Sequence, residues 1–286
     1  MRFRVNKREF SSDYPILLSS PHSGSYYSNE FLSQVNVSKK QLRMSEDMFV
    51  DELFLPLKDN KISIISTKTP RVYIDLNRDK SDLDPKMVTT NVKNFNYRFS
   101  KYVNSGIGLI HKVTADREKI YGKQLTIDEI NRRIEEHYIP WHSSLKKALD
   151  NCINKFNFCL LLDCHSMPKS YSYSNNDELS EIILSNNHYK SCSKQEFDYL
   201  IDLFRNYGFK VGVNNPFSGG YITKKYGQPS IGINTIQIEI RRDLYMDEKK
   251  LTKKSNFYQL QKTLIEIILQ LSKFIMDKNI NLKVAE

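Results

Sequence analysis

An unbroken apolar segment that runs directly into polar chemistry restricts the fold of this chain more than any other feature. Residues 158–162 (FCLLL) carry no charge and lead into Asp163-Cys164-His165-Ser166. An apolar run of this length, bounded by a turn signal at Pro168, is typical of a strand buried on both faces of a parallel sheet. His165 would then lie just beyond the carboxyl end of the strand, where crevices form in open α/β sheets.

Two more strand-like segments are followed by polar side chains. Residues 14–20 run into His22, and residues 71–76 run into Asn77 and Arg78. An arginine can hold a carboxylate through two parallel hydrogen bonds, so Arg78 is a candidate for binding an anionic substrate group. An ion pair with a neighbouring aspartate explains Arg78 as well when it is considered alone.

The clearest alternation of apolar and polar residues lies at 235–241, where Glu239 is on the polar face near the carboxyl end. If these strands share one sheet, four polar side chains meet at one edge: His22, Arg78, His165 and Glu239. Two imidazoles, a carboxylate and an anion clamp are the parts of metal-assisted hydrolysis of a carboxylate-bearing substrate.

Helix signals lie between the strands. Ser45 is a candidate N-cap, and Thr126-x-x-Glu129 and Ser193-x-x-Glu196 have the form of capping boxes. The C-terminal segment carries an apolar stripe typical of a helix packed on a core. Residues 81–122 are polar and irregular, which predicts a long insertion that could act as a lid. We also predict strands at 62–66 and 209–213, a loop at 171–190 and a helix that kinks or restarts at Pro140.

The composition favours one globular domain spanning residues 1–286. The chain is 40% hydrophobic and 27% charged, and no Gly/Ser linker or repeat divides it. Its basic N-terminus is not followed by a long apolar segment, and no run approaches the ~20 residues that span a bilayer, so we expect no secretory signal and no membrane partner. The four cysteines lack paired CxxC spacing and fit reduced thiols in a cytoplasmic protein.

The net charge of +10 has two explanations. It could serve nucleic-acid binding, or it could reflect a solvated lysine-rich surface and anionic small substrates. The lysines occur as scattered pairs and not as a long basic block, so we favour the second and expect no nucleic-acid partner. Nucleic-acid binding is kept as a remote alternative, and it would weaken steeply as salt rises.

Six short motifs occur in order between about residue 15 and residue 248. They are PHSG at 21–24, ED at 46–47 before VDEL at 50–53, DLNR at 75–78, DCHSMP at 163–168, NPF-x-GGY at 215–221 and QIEI at 237–240. Together they resemble the N-formylglutamate amidohydrolase family. The set is specific for family membership and less specific for the substrate.

That family is similar in fold to zinc carboxypeptidases and aspartoacylase. The resemblance therefore implies an α/β protein with a mixed, mostly parallel central sheet flanked by helices. It implies a zinc ion, or another divalent metal, bound by His22 and His165. It also implies that Glu239 is the general base that activates the attacking water and then protonates the leaving nitrogen.

The resemblance also assigns residues to the substrate. Arg78, with Asn77, would hold the substrate carboxylate, and Tyr221 would contribute to substrate binding. Arg71 is similar in placement to the arginine that stabilises the oxyanion in aspartoacylase.

The second metal ligand departs from the carboxypeptidase pattern. Carboxypeptidases have a glutamate three residues after the first histidine, where this chain has Ser25. We expect Asp47 to replace it, with Glu46 as the poorer candidate. His111 stands where the family is expected to have an aromatic residue followed by arginine, so recognition of the substrate side chain could differ.

The sequence thus predicts a zinc-dependent amidohydrolase that cleaves an N-acyl amino acid. N-formyl-L-glutamate, converted to formate and L-glutamate, is the simplest substrate, and the resemblance implies a place in histidine catabolism. The alternative is an amidase or binding protein of the same fold for another acylated carboxylate.

Overall fold

The computed structural model describes residues 12–89, 97–172 and 180–284. The chain divides into two compact units. The first contains Pro21–Met48 and Ser66–Ser144, and the second contains the described residues before 21, Phe49–Ile65 and the chain from Leu145 onward. The single domain spanning 1–286 stays a prediction.

A six-stranded sheet forms the centre of the second unit. Its strands are β1 (Ile16–Ser20), β2 (Ser63–Ser66), β3 (Cys159–Met167), β4 (Ile182–Ser185), β5 (Val211–Val213) and β6 (Ile233–Arg241). Their order is β2-β1-β3-β6-β4-β5. β1, β3 and β6 are parallel, whereas β4 is antiparallel to β6 and parallel to β5. Two short strands, β7 (Met246–Asp247) and β8 (Thr252–Lys253), form a separate antiparallel pair.

The helices are α1 (Asn29–Leu32), α2 (Lys39–Arg43), α3 (Val50–Phe54), α4 (Lys101–Asn104), α5 (Ile127–Arg133), α6 (Ile139–Phe156), α7 (Lys194–Asn206), α8 (Tyr221–Tyr226) and α9 (Phe257–Val284). Those before residue 134 are short, and of the later ones α6, α7 and α9 are long. In the second unit, α3 contacts β3 and α9, α7 contacts β5 and α9, and α8 contacts β6. The protein is therefore an α/β structure with a mixed, mostly parallel sheet flanked by helices, as the sequence predicted.

The central strand β3 is buried along its whole length, which confirms the prediction from the apolar run at 158–162. The strand extends to Met167, however, so His165 lies inside it and not beyond its end. β6 is also buried from Asn234 onward. The side chains on its polar face are buried as well. The alternation at 235–241 is also typical of a strand with one face exposed to solvent.

The first unit is organised around a buried arginine. Arg133 is fully buried, and its guanidinium lies 3.9 Å from the ring centre of Tyr73. It donates hydrogen bonds to Oε1 of Glu129 at 2.8 Å and to the hydroxyl of Tyr121 at 2.8 Å. These hydrogen bonds offset the desolvation cost of burying the charge. The arginine thereby joins α5 to the loops that carry the two tyrosines.

The kink or restart predicted at Pro140 is found as a restart, because the regular α-helix α6 begins at Ile139. A π-helical turn at Ile134–Tyr138 connects α5 directly to α6. The proline ring would clash with the carbonyl four residues back in a regular α-helix, and the wider turn accommodates it.

Three local predictions were wrong. Ser45 does not cap a helix, because α3 begins after Phe49, which has a left-handed backbone (φ 63°). Residues 71–76 form turns and no strand, although Val72, Ile74 and Leu76 are fully buried. Part of the loop predicted at 171–190 is strand β4.

The segment predicted as an insertion is partly built into the first unit. Of residues 81–122, the structure describes all except 90–96. Leu109, Ile110 and Ile120 are buried there, and the backbone N–H of Asp75 donates to the carbonyl of Leu109. These residues are thus part of the core of the unit. A lid function for this segment stays a prediction.

All four cysteines, Cys152, Cys159, Cys164 and Cys192, are buried and free. Within the parts of the chain that the structure describes, none of the helices combines the length and apolar character that crossing a membrane requires.

Candidate active site

His165 and Glu239 are neighbours on adjacent parallel strands. They are register partners in the pairing of β3 with β6, and both are buried. Each lies two residues from the carboxyl end of its strand. The sheet therefore brings an imidazole and a carboxylate to the edge at which α/β proteins bind ligands.

Asp163 holds the ring of His165. Its Oδ2 lies 3.0 Å from Nε2 of His165, and its Oδ1 accepts a hydrogen bond from Oγ of Ser19 at 2.7 Å. Asp163 and His165 face the same side because side chains two positions apart in a strand do so. When Nε2–H of a neutral His165 ring donates this hydrogen bond to the Asp163 carboxylate, the lone pair of the ring is on Nδ1.

His22 and Asp47 are brought together by their backbones. The N–H of Asp47 donates to the carbonyl of His22 at 3.0 Å, and Oγ of Ser23 donates to the carbonyl of Asp47 at 3.1 Å. These bonds join the turn after β1 to the loop before α3. They hold Oδ2 of Asp47 at 3.3 Å from Nδ1 of His22.

Asp75 determines which nitrogen of His22 carries the proton. Nε2 of His22 lies 2.7 Å from Oδ1 of Asp75. Burial raises the pKa of the Asp75 carboxyl, but Arg78, His22 and Arg71 outweigh this effect and hold that pKa well below its usual value. An ionised carboxylate only accepts hydrogen bonds, so Nε2 is the donor and a neutral imidazole has its lone pair on Nδ1. The Nδ1 lone pair of His22 and the carboxylate of Asp47 are therefore two acceptors that lie next to each other. A cation bound by both would stabilise this arrangement.

Three buried side chains have the chemistry of a metal site. One ligand atom from each of His22, Asp47 and His165 lies within 4.8 Å of the others. Two imidazoles and one carboxylate are a common protein ligand set for catalytic zinc. Glu46, the alternative to Asp47, accepts hydrogen bonds from the hydroxyl of Tyr27 at 2.7 Å and from Nε of Arg43 at 3.3 Å, so its carboxylate already has a structural role.

Arg78 is buried and held in one orientation. Its Nε donates to the carbonyl of Ile107 at 3.0 Å, and Nη1 donates to the carbonyl of Asn77 at 2.9 Å. Its guanidinium lies 3.8 Å from the ring centre of Tyr102. Stacking and hydrogen bonding together fix the plane in which the fork can meet a carboxylate. Sequence reasoning missed Tyr102, because nothing local connects it to Arg78.

His111 is buried beside the same aspartate. Its Nε2 lies 3.1 Å from Oδ2 of Asp75. Burial, with the nearby positive charges of Arg71 and Arg78, lowers the pKa of His111 from 6.5 to about 4, against the opposing effect of Asp75. The ring is thus neutral at pH 7, donates through Nε2 and carries a lone pair on Nδ1. That Nδ1 is buried and has no hydrogen-bond partner among the described residues.

The comparison with known proteins decides the family. The family model described as N-formylglutamate amidohydrolase matches residues 14–246. The chain belongs to the N-formylglutamate amidohydrolase family. The resemblance carried by the six motifs is thereby confirmed.

Relatives of the family match most of the chain. The N-formylglutamate deformylase of Pseudomonas putida is 25% identical over 237 residues, covering 82% of this chain and 82% of the relative. That of Pseudomonas aeruginosa is 24% identical over 238 residues, covering 82% and 83%. The crystal structure of N-formylglutamate amidohydrolase from Ralstonia eutropha JMP134 superposes with a TM-score of 0.88 at 29% identity, covering 94% of this chain and 96% of that one. A protein from Agrobacterium tumefaciens shares the fold, with a TM-score of 0.68 at 15% identity, over 94% and 92% of the two chains.

Tyr221, predicted to bind substrate in this family member, is the first residue of α8. Its hydroxyl accepts a hydrogen bond from Nζ of Lys225 at 3.0 Å. The loop before it reaches the site through Gln237, because the N–H of Gly220 donates to Oε1 of Gln237 at 2.6 Å and Nε2 of Gln237 donates to Oε1 of Glu239 at 2.8 Å. Sequence reasoning gave Gln237 no role, although the two-residue period of a strand places it on the same face as Glu239.

Proposed function

We propose that the protein hydrolyses the amide bond of an N-acyl amino acid, with N-formyl-L-glutamate as the first substrate to test. The observation that carries this proposal is the pairing of His165 with Glu239 on adjacent strands, because it places a candidate metal ligand beside a candidate base. The curated relatives named N-formylglutamate deformylase support the choice of substrate. Formate and L-glutamate would be the products.

In this proposal His22, Asp47 and His165 hold a divalent metal ion, most simply zinc. Their ligand chemistry and mutual distances support the assignment. A zinc ion there would act as a Lewis acid that polarises the acyl carbonyl and lowers the pKa of bound water to about 7. Asp75 and Asp163 would orient the two imidazoles through their second nitrogens.

Glu239 acts as the general base and then as the general acid. It removes a proton from the attacking water and returns it to the leaving nitrogen as the amide bond breaks. Its burial beside His165 supports this role, because a carboxylate at a covered sheet edge works in a site from which bulk water is largely excluded.

Two arginines bind different negatively charged groups of the reacting substrate. Arg78, with Asn77, binds the substrate carboxylate through its fork, and Tyr221 contributes to substrate binding. Arg71 donates to the oxyanion that develops on the acyl oxygen when water attacks the acyl carbon. Its Nη2 donates to Asp75 at 3.0 Å, which holds the guanidinium in place. Removing one such donor typically costs about 10²–10³ in rate.

The test combines metal analysis with product detection. Purified protein should contain about one zinc per chain and release formate from N-formyl-L-glutamate. Chelation should abolish formate release, and added Zn²⁺ should restore it. Full activity in protein shown to be metal-free would overturn the metal assignment, and the absence of formate release from metal-loaded protein would overturn the substrate.

The second candidate function is that of an amidase, or of a binding protein, of the same fold that takes a different acylated carboxylate. His111 is the observation that favours it, because its buried Nδ1 has a lone pair without a partner among the described residues and would prefer a substrate group that donates a hydrogen bond. A panel of N-formyl-L-glutamate, N-formyl-L-glutamine and N-acetyl-L-glutamate separates the possibilities. A higher kcat/KM for the glutamine compound would favour this second candidate, and binding without turnover would identify a binding protein.

A further inference from the structure

Gln237 lies next to the proposed base on the same face of β6. The two residues are two positions apart in the strand, so their side chains project to the same side. Both are buried. A buried amide needs partners for its oxygen and its nitrogen, and the partners of Gln237 come from different parts of the second unit.

The two partners fix the orientation of the amide. The backbone N–H of Gly220 can only donate, so it must face Oε1 of Gln237, at 2.6 Å. Nε2 then faces Oε1 of Glu239, to which it donates at 2.8 Å. A flipped amide would place N–H against N–H and oxygen against a carboxylate, which removes both hydrogen bonds. The N–H of Gly220 thereby orients the Gln237 amide so that its NH₂ group faces Glu239.

Gly220 is itself held by the sheet. Its loop, residues 214–220, is attached to the end of β4 at both sides. The N–H of Asn214 donates to the carbonyl of Leu184 at 2.9 Å, and the N–H of Asn187 donates to the carbonyl of Ser218 at 3.0 Å. The amide of Gln237 therefore spans from a loop fixed to β4 across to the carboxylate on β6.

We propose that Gln237 is a positioning residue that holds the carboxylate of Glu239 in its reactive orientation and couples it to the loop preceding Tyr221. The proposal rests on the proposed function only in that Glu239 is the base. Glutamine suits the position because one side chain must accept from Gly220 and donate to Glu239. A glutamate could only accept when ionised, and an apolar side chain could do neither.

Two variants separate positioning of Glu239 from support of the loop. Gln237→Glu keeps an acceptor for Gly220 and loses the donor to Glu239, whereas Gln237→Met loses both. We expect kcat to fall about 10–100-fold in each variant with KM little changed, as when a partner that orients a reacting group is removed. The midpoint of thermal unfolding should fall more in Gln237→Met than in Gln237→Glu.

The matched control is Asn234→Asp, the same amide-to-carboxylate change on the same buried strand. Oδ1 of Asn234 accepts from the N–H of Ser193 at 2.8 Å, which aspartate can still do. Its kcat should equal that of the wild type. The proposal is overturned if Gln237→Glu retains wild-type kcat, or if Asn234→Asp loses as much kcat as Gln237→Glu does.

Glu239→Gln distinguishes failure of this inference from failure of the proposed function. If Glu239→Gln is inactive and Gln237→Glu is fully active, Glu239 is the base and Gln237 does not position it. If Glu239→Gln retains full activity, Glu239 is not the base and the proposed mechanism itself fails.

Discussion

Asp75 holds His22 through a 2.7 Å hydrogen bond from Nε2 to Oδ1. Its other oxygen accepts from Nη2 of Arg71 at 3.0 Å and lies 3.1 Å from Nε2 of His111. One fully buried carboxylate thus orients a proposed metal ligand and a proposed oxyanion donor at the same time. Its ionised state is maintained by the positive charges around it, which offset the cost of burial.

Asp75→Asn should weaken metal binding. The amide removes the charge that favours a proton on Nε2 of His22, and loss of such a partner typically costs about 10–100-fold in metal affinity. Competition with a chromophoric chelator measures the affinity of the apo protein for Zn²⁺. Asp84→Asn, the same change at an aspartate whose ion pair is with Lys112, is the control. Equal Zn²⁺ affinity in Asp75→Asn and wild type would remove Asp75 from this role.

Arg78→Lys should raise KM even though the charge is kept. Lysine cannot donate to the carbonyls of Ile107 and Asn77 and offer a fork to a carboxylate at the same time. Charged hydrogen bonds contribute about 1.5–3 kcal/mol, so we expect KM for N-formyl-L-glutamate to rise about 10–150-fold. Steady-state kinetics of Arg78→Lys beside those of Arg98→Lys, whose side chain is 63% exposed, provide the measurement. Unchanged KM in the first variant would show that the carboxylate binds elsewhere.

His111 should make the protein less stable as pH falls from about 6.5 to about 4. In this window the histidine of the unfolded chain binds a proton, whereas the buried ring, with its pKa lowered to about 4, does not. The unfolded state is therefore favoured, by about 3 kcal/mol at the acid end. Urea unfolding of the metal-free protein at several pH values measures the free energy of unfolding. As pH falls, this free energy should decrease less in His111→Gln than in the wild type, because glutamine cannot bind the proton. His188→Asn, at an exposed histidine, should keep the wild-type slope, and equal slopes in all three proteins would contradict the prediction.

Glu239→Gln should abolish turnover without loss of metal. The amide cannot take the proton of the attacking water, and loss of a general base typically costs about 10²–10⁴ in kcat. Metal content and the midpoint of thermal unfolding should stay near wild type, because the substitution is isosteric. Formate release within twofold of wild type would exclude Glu239 as the base.

Local patterns in the sequence identified much of the sheet. The apolar run at 158–162 predicted β3 and the segment at 14–20 predicted β1, because a strand buried on both faces has consecutive apolar side chains. The alternation at 235–241 predicted β6 through the two-residue period of a strand. The family resemblance also named His22 and His165, and the departure at Ser25 led to Asp47. The ligand atoms of these three residues lie within 4.8 Å of one another.

Other elements depended on partners far along the chain. Residues 71–76 have strand-like alternation but join no strand, since a strand needs a neighbour with which to form hydrogen bonds. β4 was missed for the converse reason: its four residues, Ile182–Ser185, are a strand because β6, some fifty positions later, pairs with them.

The sequence by itself determined which segments are buried and which residue types the site contains. Only the tertiary structure decided that Asp75 meets His22, Arg71 and His111, that Tyr102 covers Arg78, and that Gly220 orients Gln237. Burial follows from the transfer of side chains out of water, which neighbouring residues reveal through their periodicity. Hydrogen bonds between buried polar groups join residues that are distant in sequence. Each of them forms only when folding buries both partners side by side, so local sequence patterns do not reveal it.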